Sequence, residues 1–217
     1  MSRHRRGSPC HEILVATLNL KLSLPGQMSL RIVVVGIPGV GKTTVVDKTA
    51  AGIKGSKVVT FGTVMAEEAL KLGWIKNRDE MRKMPVERQK KLQKLAALKI
   101  SRRKDPVLFV DTHLFIRTPE GFWPGLPFEV VRAMKPTHLV LVEALSEEIK
   151  ARRTADATRT RDDITAGELE SELALGRSFL TAASTLSGAP MLVVLNAQGK
   201  ADETAQKLIK VLSAARK

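Results

Sequence analysis

The chain reads as an α/β protein in which a central five-stranded parallel sheet lies between two layers of helices. Three observations predict this. Five short runs rich in Val, Leu and Ile recur along the chain: Arg31 to Val35, Lys57 to Thr60, Val107 to Val110, His138 to Val142 and Met191 to Leu195. Near-continuous apolar runs suit strands buried on both faces of a parallel sheet. Helix-compatible segments fill the intervals, and such alternation favours right-handed β-α-β crossovers. Finally, the first run leads directly into GIPGVGKTT, Gly36 to Thr44, and a helical pattern from Thr43 to Ala51 leads out.

That third observation also carries chemistry. Gly36, Gly41, Lys42 and Thr43 occupy every fixed position of the phosphate-cradle pattern G-x-x-x-x-G-K-[ST], in its strand–loop–helix context. A loop that wraps a triphosphate must turn its backbone N–H groups inward, which glycine permits at low steric cost. The following helix aims its positive end at the same anion. Residues Gly36, Ile37, Pro38, Gly39, Val40, Gly41, Lys42, Thr43 and Thr44 are therefore expected to hold nucleotide phosphates. Lys42 would reach the β- and γ-phosphates, and the Thr43 hydroxyl would ligate Mg²⁺. The fold is thus expected to be the three-layer type of the phosphate-loop NTPases.

The remaining elements follow in order. After the second strand comes FGTVMAEEA, then NRDEMRKMP, spanning Phe61 to Pro85. Thr63 there could donate to a phosphate or a base. Arg82 and Arg78 could grip a phosphate with two N–H groups, or could pair with Asp79 or Glu80 at the surface. Asp111 ends the third strand in VLFVDTH. An acid in that place commonly holds hydrated Mg²⁺ through water, or else caps the next turn. His113 is open to contact with substrate or to plain packing. Ser146 is expected to cap a helix from Glu147 to Arg153. Thr165 and Glu168 read as a capping box for the helix Glu168 to Leu186, whose Leu169, Leu173, Leu180 and Ala183 share a face. Between these helices, Arg152, Arg153, Arg159 and Arg161 crowd a short polar segment suited to closing over transferring phosphates, unless it is merely a solvated charge run.

Composition narrows the class. The 217 residues suffice for one domain with a sizeable core, and a hydrophobic content of 43% is ordinary. Aromatic content is only 4%, so aliphatic side chains must build that core. The single cysteine, Cys10, excludes an intrachain disulfide and leads us to expect a reducing, cytoplasmic setting. The net charge is +14 and uneven: residues 76–104 carry 12 basic and 3 acidic side chains. Such an excess can serve nucleic acid, several phosphates at once, or simply a solvated helix face, and the last is the preferred reading for Lys90 to Lys104. Residues 1–27 stand apart as an extension. Their apolar run, Glu12 to Leu24, is too short for a membrane span and is interrupted by Asn19 and Lys21. Its alternating leucines have strand periodicity.

No general base or nucleophile stands out in these segments. A hydroxyl acceptor usually needs help in losing its proton. A phosphate acceptor, with a second pKa near ~6, is already anionic at neutral pH. Positioning and electrostatics then suffice. The acceptor suggested is a nucleoside monophosphate.

GIPGVGKTT, FGTVMAEEA, RDEMRKMP, VDTHLFIRTPEGFWPGLP and ARRTADATRTRD, in this order, resemble the archaeal-type adenylate kinases from about Met28 to the C-terminus. RDEMRK and the stretch from Asp111 to Phe122 are the specific parts. The resemblance implies a nucleoside monophosphate kinase domain over residues 28–217, an AMP-binding segment near residues 61–104 and a short lid near residues 152–164. It implies ATP + AMP ⇌ 2 ADP with Mg²⁺. It places Thr63, Arg82 and Arg117 on AMP, gives Lys42, Arg117, Arg152, Arg159 and Arg161 the transfer step, and gives Thr43 and Asp111 the metal. Asn196 to Lys200 would border the ATP adenine. A homotrimer is common in the family. Two rivals stay open here: a kinase for another monophosphate such as CMP, and a nucleotide-dependent nucleic-acid-binding protein.

Overall fold

The structure, a computed structural model, describes residues 29–118, 120–155 and 165–215. The N-terminal extension, its leucine run, Cys10, Arg159 and Arg161 lie outside these residues.

Five parallel strands form the sheet in the order β2-β3-β1-β6-β7: β1 (Leu30–Val35), β2 (Ser56–Thr60), β3 (Val107–Asp111), β6 (His138–Glu143) and β7 (Met191–Leu195). All five runs expected from the sequence form strands, within one residue at either end. Burial on both faces holds for β1, β3 and β6, which occupy the middle. The outermost strands, β2 and β7, are only partly covered, and Met191, Val193 and Leu195 stay exposed.

Among the described residues, seven α-helices surround the sheet: α1 (Lys42–Ala51), α2 (Phe61–Lys71), α3 (Val86–Ser101), α4 (Phe128–Met134), α5 (Ser146–Ala155), α6 (Ala166–Ser187) and α7 (Ala201–Ala214). Side chains alternate across each strand, so each sheet face has its own core. One face packs Val33, Leu108, Val110 and Leu141 against α2, α3, α4 and α6 through residues such as Phe61, Ala96, Val131 and Leu180. The other packs Ile32, Val34, Phe109 and Val140 against Val45 of α1, Ile149 of α5 and Leu208 of α7. Small side chains such as Ala96 and Ala97 let helices approach closely where aromatic bulk is scarce.

Two caps test the local reading. Thr165 and Glu168 exchange both capping-box hydrogen bonds, and α6 starts there. Ser146 is not a cap. It is the first residue of α5, and the carbonyl of Leu145 accepts the first helical bond, from Ile149 N–H at 3.0 Å. The serine hydroxyl turns instead to Glu147.

A hairpin adds what periodicity did not show. Strands β4 (Phe115–Thr118) and β5 (Gly121–Pro124) pair antiparallel. Each is four residues long, too short for alternation to register. At its base Gly125 N–H donates to the Leu114 carbonyl at 2.7 Å, and a Cβ on Gly125 would stand 2.1 Å from the His113 carbonyl. Only glycine fits that approach.

Three lysines of the basic stretch are paired locally. Lys90 pairs with Glu87, Lys94 with Glu129, and Lys99 with both Glu67 and Glu68. These contacts describe a solvated helix face stitched to its neighbours.

Phe109 is 1% exposed and sits on the central sheet between Ile32 and Val58 in register. Phe109→Ala is expected to destabilise the chain by about 3–5 kcal/mol. The urea unfolding midpoint should fall with little change in slope.

Candidate functional site

Glycine conformation and outside support together shape the loop between β1 and α1. Gly39 and Gly41 have φ of 97° and 79°, in the region that L side chains avoid. A Cβ on Gly36 would come within 2.6 Å of the Val142 carbonyl, so the loop leaves the sheet in contact with β6. The side chains of Ile37 and Val40 are buried in the core and pin the loop down. Three successive carbonyls of the loop accept bonds from elsewhere in the chain. Pro38 accepts from Arg153 Nε at 2.8 Å, Gly39 from Arg152 Nη1 at 3.4 Å and Val40 from Asn196 Nδ2 at 2.8 Å. With these carbonyls held from outside, the loop's inner surface is left to N–H groups and to the start of α1.

Lys42 and Asp111 meet directly beneath the loop, both nearly buried. The register explains this: Asp111 pairs with Val34, one residue before β1 ends, so the end of β3 lies under the loop. Burial lowers the Lys42 ammonium to about 8, while the Asp111 carboxylate beside it favours the charged form. The lysine is charged at neutral pH. The Thr43 hydroxyl donates to Asp111 Oδ2 at 3.4 Å. A hydroxyl and a carboxylate are hard oxygen donors, and no cluster of three His, Cys, Asp or Glu side chains converges among the described residues. This sparse set fits Mg²⁺, which keeps several waters and takes the rest of its shell from phosphate oxygens. It does not fit a closed protein cage for zinc.

The second group of expected residues is brought to the same end of the sheet. Thr63 is exposed in the first turn of α2, just past the C-terminal end of β2. Arg78 and Arg82 lie in the 3₁₀ turn Arg78–Lys83, capped by the Asn77 side chain, which accepts from Asp79 and Glu80 N–H. The Arg78 guanidinium reaches the start of α2, with Nη2 3.7 Å from where a Cβ on Gly62 would be. His113 places Nδ1 3.5 Å from the Gly36 carbonyl, beside the loop. Arg117 projects from β4 onto α6, where its Nε and Nη2 donate to Glu172 Oε1 at 3.2 and 3.0 Å.

Arg152 and Arg153 do not lie in a free loop. They occupy the last turn of α5. Besides the loop carbonyl, Arg152 donates to Gln198 Oε1 at 2.8 Å and to the Asn196 carbonyl at 3.1 Å. Glu148 on the preceding turn joins the set by accepting from the Gln198 N–H at 2.8 Å. Arg153 reaches Glu172 at 3.7 Å.

Asn196, Glu148, Gln198 and Glu172 contact the loop or the arginines beside it, and no short pattern singles them out. Asn196 and Gln198 both fall within the loop Asn196 to Lys200 expected to border the adenine. None of the four belongs to a motif with fixed spacing, and each has a partner 50 or more residues away, up to 156 for Asn196 and Val40.

Similar proteins were found on both sequence and structure. A family model described as an AAA domain matches residues 35–170. The adenylate kinase of Methanocaldococcus jannaschii is 41% identical over 186 residues, covering 83% of this chain and 97% of that protein. The adenylate kinase of Thermoplasma acidophilum is 41% identical over 184 residues, covering 85% and 99%. Among solved structures, a shikimate kinase from Acinetobacter baumannii in complex with shikimate superposes with a TM-score of 0.58, covering 88% of this chain and 96% of that one. At 16% identity that likeness speaks for the fold alone.

The loop geometry generates a test. A Cβ on Gly41 would stand 2.4 Å from Asn196 Nδ2, at a φ of 79°. Gly41→Ala is expected to weaken binding of a Mg-nucleoside triphosphate about tenfold or more, since left-handed backbone alone costs a side chain roughly 1–2 kcal/mol. Calorimetric titration reads the loss, and circular dichroism should show the fold retained.

Proposed function

The chain belongs to the adenylate kinase family of phosphotransferases, and on that premise we propose that it catalyses ATP + AMP ⇌ 2 ADP with Mg²⁺. The observation that supports it most is the convergence of the phosphate loop and the Arg117 hairpin. Pro38 of the loop, Arg153, Glu172 and Arg117 form one continuous chain of polar contacts. A donor phosphate on the loop and an acceptor phosphate at the hairpin would therefore share one junction.

In this reading the loop N–H groups and Lys42 hold the β- and γ-phosphates of ATP. Asp111 is the counter-ion that keeps Lys42 charged in its buried place before the nucleotide arrives. Thr43, with Asp111 through water, would hold Mg²⁺, which draws charge from the transferring phosphoryl group. Thr63 and Arg82 bind AMP, and Arg117 faces its phosphate. Arg152, Arg159 and Arg161 gather over the transferring group from the lid side. The AMP phosphate is anionic at neutral pH, so no side chain need remove a proton. The chain's contribution is alignment of the two phosphates, shielding from water and fixed positive charge.

Mixing the pure protein with Mg-ATP and each of AMP, CMP, UMP and GMP tests the proposal. ADP formation fastest with AMP supports it, and faster turnover of CMP refutes the base assignment. Lys42→Ala should lower ADP formation by about 10³-fold or more with the fold intact. Wild-type turnover in that variant would remove the lysine from the mechanism. Arg82→Ala should raise the KM for AMP more than that for ATP; an effect confined to ATP would move Arg82 to the other nucleotide.

A further inference from the structure

Glu172 lies on α6, 7% exposed, with a guanidinium on either side. Its Oε1 accepts from Arg117 Nε and Nη2 at 3.2 and 3.0 Å, and its Oε2 stands 3.7 Å from Arg153 Nη2. The arginines come from different elements, β4 and α5. Arg153 is also bonded to the Pro38 carbonyl at 2.8 Å. One buried carboxylate thus joins the phosphate loop to the hairpin.

This placement has two physical consequences. Two guanidinium groups brought to one junction repel each other, and the repulsion grows as water is excluded. A carboxylate between them offsets it. Two N–H groups of Arg117 share one acceptor oxygen, and Phe122 lies 5.5 Å from the same guanidinium. Together these contacts fix the guanidinium plane, which a lone surface pair would not do. Glu168, one turn earlier on α6, stands 3.8 Å from Arg117 Nη1 at a more exposed position and supplies a weaker second contact.

We propose that Glu172 is a positioning residue for phosphoryl transfer. It sets the orientation of Arg117 and Arg153 where the two nucleotides' phosphates meet, and so makes AMP binding depend on the state of the phosphate loop. It touches neither substrate. The proposal rests on the adenylate kinase reading above.

Steady-state kinetics of Glu172→Gln tests it. The amide keeps the shape and an acceptor oxygen but loses the charge. The KM for AMP should rise about tenfold while the KM for ATP changes less than threefold. Arg117→Lys should lower kcat/KM for AMP in the native background and cost at least threefold less when Glu172 is already Gln, because contacting residues couple. Glu172→Asp should restore part of the loss. If Glu172→Gln fails to fold, the Asp variant carries the test, with an expected threefold rise in the KM for AMP. A purely structural glutamate would lower the melting temperature, leave the KM for AMP within twofold and make the two substitutions multiply independently; that result overturns the proposal. The wild-type chain is assayed alongside. Normal ADP production there with an unaltered variant refutes the role of Glu172 alone. No ADP from ATP and AMP in the wild type refutes the reaction and, with it, this role.

Discussion

A loop that must present N–H groups to an anion needs its carbonyls held on the opposite side, and this requirement organises the molecule. Pro38, Gly39 and Val40 each send a carbonyl outward, and each is met by a side chain from a distant element. Arg153 and Arg152 come from the end of α5, and Asn196 follows β7. Gly39 and Gly41 supply the backbone freedom, but freedom alone would leave the loop with many shapes. The donors select one. The parallel sheet is what allows it, because β1, β6 and β7 all end on the same side and deliver the loop, α5 and Asn196 together.

Charge is arranged on the same principle. Cations in and around the loop are held by carboxylates: Lys42 by Asp111, Arg117 and Arg153 by Glu172, and Arg152 by Glu148. An unpaired charge in a buried place is costly, so the partners keep the cations ordered. A triphosphate would enter an already charged pocket whose groups need little rearrangement, which is the condition for strong electrostatic catalysis. The chain's +14 net charge is a different matter. Much of the basic surface on α3 is matched by Glu67, Glu68, Glu87 and Glu129.

Secondary structure was legible wherever a run was long or chemically marked. β3 and β6 announce themselves because both faces are buried and polar residues stand only at their ends. The capping box at Thr165 is read from two residues three apart, and the structure forms both bonds. Ser146 misled because a serine ahead of two glutamates is a cap by composition, while α5 in fact starts one residue sooner. The hairpin escaped because four-residue strands in a stretch broken by glycine and proline carry too little periodicity.

The order of residues suffices to read off the sheet, the glycine-rich loop with Lys42 and Thr43, the carboxylate at the end of β3, and the arginine-bearing segments. Each of these is a local signal: a run, a spacing, or a residue type beside a strand end. What those residues hold depends on how the chain folds back on itself. The fold put Arg152 and Arg153 on a helix end bonded to loop carbonyls, brought Asn196 156 residues back to Val40, and set Glu172 between two arginines. The physical reason is that hydrogen bonds and ion pairs of this kind join residues far apart in the chain. Their existence depends on strand order and helix packing, which no short pattern records.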